Sequence, residues 1–72
     1  MDKLGYRMVI EWSDADQVYI ARVPAFPGLS AHGNTVEEAA REGFLAAEGI
    51  LEVMAEDGDP LPPEDIASAH SA

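Results

Sequence analysis

Residues 23–39 read VPAFPGLSAHGNTVEEA, and the fold turns on this stretch. Pro24 has no N–H to offer a ladder, so it ends a strand or sits at a sheet edge. Pro27-Gly28 fits a type II turn: proline sets φ at the first central position and glycine accepts a positive φ at the second. Leu29 to His32 is then long enough for a short strand, which Gly33 breaks. Thr35 is a helix N-cap, and Glu38 three residues later completes a capping box. The cap alone is worth roughly 1 kcal/mol. The stretch thus predicts a strand end, a tight corner, a short strand and the start of a helix.

Upstream, residues 5–12 (GYRMVIEW) alternate, with Tyr6, Met8, Ile10 and Trp12 on one face and Arg7 and Glu11 on the other. This is a strand. Ser13-Asp14-Ala15-Asp16 is a polar connector short enough for a hairpin. Residues 17–23 (QVYIARV) form the second strand, where Val18, Tyr19, Ile20 and Ala21 are apolar without alternation. A strand with water on one face should alternate, so both faces of this hairpin are expected to be covered. One helix covers only one, and a second protein chain is the expected cover for the other.

Downstream, the helix runs from Thr35 to about Asp57, roughly 33 Å, where Gly58 supplies a stop and Pro60 prevents continuation. Val36, Ala40, Gly43, Ala47, Ile50 and Met54 form one apolar seam, with Phe44 and Leu51 beside it. Small residues at 40, 43 and 47 predict a close approach of the helix axis to the sheet. Glu38, Glu42, Glu52 and Glu56 take the outer face with Arg41 and an exposed Leu45. Glu56, Asp57 and Asp59 concentrate negative charge at the helix end, where the dipole disfavours it. The expected domain covers residues 1–66, and 67–72 are read as a disordered tail.

Seventy-two residues make one domain, whose single core supplies only about 3–5 kcal/mol. No cysteine is present to form a disulfide or a thiolate metal site, so oligomerisation, as a dimer or tetramer, is the expected added support. No stretch approaches the roughly 20 apolar residues of a membrane span, and the charged N-terminus does not read as a signal peptide. A cytoplasmic location is expected. Four basic residues against fourteen acidic ones give a formal charge of −10, which repels nucleic acid and anionic lipid and attracts basic partners.

Neither catalysis nor a cofactor is expected. General acid–base work needs carboxylates gathered in a pocket, and most here lie on the outer helix face or in loops. Glu11, Asp14 and Asp16 would approach one another at the hairpin end, where a divalent ion is conceivable but a solvated acidic turn is much commoner. His32 and His70 have no ligand spacing, and no serine stands in a nucleophile elbow.

Val23-Pro24, Pro27-Gly28, Gly33, Thr35 and Glu37-Glu38-Ala39 fall at the spacing V-P-x-x-P-G-x-x-x-x-G-x-T-x-E-E-A. This pattern resembles the HicB-like antitoxin domain. The stretches MVIE and VYIARV resemble its first two strands, and Gly58, Pro60, Pro62 and Pro63 its post-helix segment, so the resemblance spans about residues 5–63. It implies an α+β fold of βββα order: a three-stranded antiparallel sheet, sometimes with a short fourth strand, and one long helix on one face, like a truncated ribonuclease H fold. It also implies a function, the neutralisation of a small basic HicA-type ribonuclease. Ala25 departs from the aspartate often found after the first proline. The chain also holds no DNA-binding domain after the helix, so operon repression is not expected of it, and a stand-alone homo-oligomeric interaction module is the alternative. Pro24, Pro27, Gly28, Gly33, Thr35, Glu38 and Gly58 are read as architectural. Glu11, Asp14, Asp16, Tyr19 and Phe26 are read as partner contacts, with Phe26 and Leu29 as the exposed apolar members of the corner.

Overall fold

Two β-rich segments close on a polar four-residue connection to build a hairpin, β1 (Val9–Ser13) with β2 (Val18–Arg22), in which Val9 faces Arg22 and Ser13 faces Val18. β3 (Ser30–Gly33) pairs antiparallel with the other edge of β2, Tyr19 opposite Gly33 and Arg22 opposite Ser30, giving the order β1-β2-β3. A single helix, α1 (Val36–Asp57), follows and crosses one face. The structure is a computed structural model that describes residues 5–65. The α+β, βββα arrangement expected from the sequence is the one observed, with three strands and no fourth among the described residues. The tail at 67–72 lies outside those residues.

The corner does more than turn the chain. The Phe26 N–H donates to the Val23 carbonyl at 2.9 Å, and the Leu29 N–H donates to the Phe26 carbonyl at 3.0 Å. Gly28 has φ +95, as the second central position of a type II turn requires. Two turns in succession bring every third residue to the same side, so Val23, Phe26 and Leu29 all point inward, with exposures of 1, 7 and 8%. Together with Tyr6 and Ala47 they are the buried cluster, around which Met8, Ile50, Leu51 and Met54 pack. The Tyr6 ring stands edge-on to Phe26 with centroids 5.1 Å apart, a favourable aromatic geometry. The expectation that Phe26 and Leu29 are exposed is corrected here: these side chains are the core.

The helix ends follow their local chemistry. Thr35 accepts the Glu38 N–H on its hydroxyl at 3.0 Å, and the Glu38 carboxylate accepts the Asn34 N–H, closing the box one residue upstream of the usual place. Gly58, at φ 74, donates to the Ala55 carbonyl at 3.3 Å, and Asp59 donates to Met54 at 2.9 Å. That pair of bonds is a Schellman stop.

The apolar seam differs from the expected one in its first turns. Ala39, Gly43 and Ala47 are the buried residues of α1, while Val36 is 48% exposed and Ala40 only half-buried. The cause is Gly33, where a Cβ would stand 2.5 Å from the Ala39 backbone nitrogen. That close approach of β3 to the helix start selects the side of the first turn that meets the sheet. Further along, a Cβ at Gly43 would lie 3.1 Å from both the Ala21 Cβ and the Met8 methyl, so the axis does approach the strands closely.

β1 starts at Val9 rather than near residue 5, because the preceding residues are engaged elsewhere. The Tyr6 hydroxyl donates to the Pro62 carbonyl at 2.7 Å, the Arg7 N–H to Asp65 Oδ1 at 2.8 Å, and the Asp65 N–H to the Gly5 carbonyl at 3.2 Å. The segment after the helix is thus a strap bonded to residues 5–7. Gly49, by contrast, meets nothing: an added Cβ there has no neighbour within 4 Å. Gly49→Ala is expected to stabilise the domain by about 1 kcal/mol through helix propensity, raising the thermal midpoint by roughly 4–8 °C in a calorimetric scan.

Candidate functional site

Strand alternation divides the sheet into two faces. Ile10, Trp12, Tyr19, Ala21, Ala31 and Gly33 look toward the helix side, and Glu11, Val18, Ile20, Arg22, Ser30 and His32 toward the other. No described element lies over the second face. Its centre is apolar: Val18 and Ile20 are half-buried and Val9 is 41% exposed. Around that centre stand Glu11 and Arg22, paired at 3.7 Å in a solvent-exposed contact of small energetic weight, and His32 opposite Ile20 on β3. The second-strand apolar run thus has one half against the helix side and one half on an open face.

The five expected contact residues do not gather into one patch. Glu11 is on the open face and Tyr19 on the opposite one, where its ring meets Trp12 edge-on with centroids 5.0 Å apart. Phe26 is in the core. Asp14 and Asp16 sit at the hairpin tip and are held by local bonds. Asp14 Oδ1 accepts from Trp12 Nε1 at 3.3 Å, the Gln17 side-chain amide donates to the Asp14 carbonyl at 2.8 Å, and the Asp16 N–H donates to the Ser13 hydroxyl at 3.2 Å. Gln17 takes a positive φ of 55 to complete the turn. Among the described residues no three acidic or histidine side chains converge as a metal site would require. Of the architectural residues, Pro27, Gly28, Gly33, Thr35, Glu38 and Gly58 each stand at the turn, close approach or cap described above.

Comparison of the chain with models of known protein families, with curated proteins and with solved structures finds no match.

What the geometry offers is surface. One groove runs from Val18, Ser30 and His32 on the open face, past Ala31 and Gly33, to Asn34, Glu38 and Glu42 at the start of α1. A second hollow shares its β3 wall and adds Asp16 and Ile20. Three carboxylates therefore line the grooves beside β3, with no lysine or arginine among the lining residues. Of Asp16, His32 and Glu42 the sequence singles out only Asp16 as a contact, because the three come from the hairpin tip, β3 and α1, which only the tertiary fold brings to neighbouring grooves. Among the described residues no helix is long and apolar enough to cross a membrane.

Proposed function

We propose that the protein is a HicB-like antitoxin that binds a small basic HicA-type ribonuclease in the cytoplasm and neutralises it by occlusion, with no chemistry of its own. The observation that carries this function is the corner at residues 23–39, whose proline, glycine, threonine and glutamate spacing resembles that of the HicB-like domain. The βββα fold is compatible with it. The formal charge of −10 suits a basic partner and disfavours direct contact with RNA. A solitary homo-oligomeric module, a dimer or tetramer, is the alternative, and the apolar open face around Val9, Val18 and Ile20 is what favours it.

The test is native affinity purification from the source cells with mass spectrometry of the co-eluting proteins. A small basic protein at near-stoichiometric yield, whose RNA cleavage this chain suppresses, is the expected outcome. Charge reversal at the exposed hairpin tip, Asp14→Lys with Asp16→Lys, is then expected to slow association with that protein and flatten its salt dependence. Recovery of the bait alone, migrating as a dimer or larger, would replace the antitoxin function with the oligomeric one.

A further inference from the structure

We infer that the outer edge of β3 is a docking site for an extended basic protein segment, which adds to the sheet as a further strand. The inference rests on the proposed function in one respect, the basic character of the partner.

The first observation is the edge itself. β3 pairs with β2 on one side only, so alternate residues of Ser30–Gly33 direct N–H and C=O groups outward with no described strand to receive them. Proteins guard such edges with lysine, proline, a bulge or a cover. β3 is short, at four residues, but its Ser, Ala, His and Gly include neither lysine nor proline, so the edge carries no side-chain guard of that kind.

The second observation is room on both sides of that edge. The groove around β3 is lined from the open face by Val18 and His32 and from the helix side by Glu38 and Glu42, so it wraps the strand rather than lying on one face. An added strand would direct successive side chains alternately into these two halves. Those over the open face would lie beside Ser30 and His32, with Asp16, Val18 and Ile20 lining the hollow beyond them, and those toward the helix would meet Glu38 and Glu42.

Charge decides the occupant. Lysine or arginine on the helix side, with apolar or basic residues over the open face, complements both halves. A second copy of this chain, pairing β3 with β3, would bring its own Asp16, Glu38 and Glu42 toward the same groups, and each copy carries a formal charge of −10. Like-charge juxtaposition makes self-pairing at this edge the poorer choice.

The experiment titrates the 15N-labelled protein with a short capped peptide alternating lysine and valine, and with the matching glutamate–valine peptide. With the lysine peptide, the β3 amides are expected to shift and gain protection from hydrogen exchange; the glutamate peptide should leave them unchanged. Asp16→Lys with Glu42→Lys should weaken binding by about tenfold. Glu52→Lys with Glu56→Lys changes the net charge equally on exposed helix residues outside the groove and should leave affinity unaltered. Equal losses in the two variants, or shifts confined to other elements, would overturn the edge site. So would β3 protection that grows with protein concentration without peptide, since the occupant would then be a second copy. Peptide binding at β3 in a protein that recovers no ribonuclease from cells would keep the edge and remove the antitoxin function. A recovered ribonuclease, with β3 unprotected in its complex and the peptide unbound, would do the reverse.

Discussion

Phe26→Ala is expected to leave about half of the protein unfolded at room temperature, seen as reduced helical circular dichroism and a urea transition with no folded baseline. Truncating a buried phenylalanine costs about 3–5 kcal/mol. A single core in a chain of this size supplies about the same amount. Phe26 is 7% exposed and joins the Tyr6 ring to the Val23 and Leu29 side chains, so its removal opens the centre of the buried cluster. Phe26→Leu keeps most of the apolar volume and should fold with a lowered urea midpoint. If Phe26 were instead a surface contact, alanine would change stability by no more than about 0.5 kcal/mol. A folded Phe26→Ala protein with an unshifted midpoint would therefore refute this description of the core.

Gly33→Ala should be the next most damaging change. The new methyl would stand 2.5 Å from the Ala39 nitrogen and 2.8 Å from the Glu38 carbonyl carbon. Both are backbone atoms of the first helical turn, and neither can swing aside as a flexible side chain would. Overpacking costs typically 1–3 kcal/mol, and a backbone collision of this kind belongs near the upper figure, about 3 kcal/mol. The loss should appear as a reduced urea midpoint at unchanged slope. Chemical shifts at Thr35 to Ala39 should move most as the helix start is pushed from β3. Gly49→Ala, in the same helix-rich protein but with open space around it, is expected to shift stability the opposite way, so the pair separates close packing from helix propensity.

Local chemistry explains what was legible beforehand. Pro27-Gly28, Thr35 and Gly58 act on their immediate neighbours, and the turn, cap and stop all stand where those residues predict. Alternation in β1 and the apolar run in β2 likewise gave the hairpin. What escaped the sequence depends on distant atoms. Ala39 and Ala40 are equivalent by composition, and only the approach of Gly33 decides which faces the sheet. Phe26 resembled a loop residue because nothing in its neighbours announces that two turns follow one another and roll it inward. The five expected contact residues do not share one patch, for a reason the pattern itself contained. In the register, Glu11 faces Ile20 and Trp12 faces Tyr19, so Glu11 and Tyr19 project from opposite faces of the hairpin.

The strap has a bearing on the order in which the molecule assembles. The hairpin, the corner and the capped helix each close over short separations, at small cost in chain entropy. The bonds from Tyr6 to Pro62 and from Arg7 to Asp65 join residues 56 and 58 positions apart. Loop-closure entropy grows with the logarithm of that separation, so these bonds gain most from a chain already condensed around the corner. They are expected to form late and open early, an order that hydrogen exchange at the Arg7 and Asp65 amides would time. Residues 5–7 and 62–65 should therefore open as one unit, each opening lifting the cover from Tyr6, the one member of the buried cluster supplied by the stretch before β1.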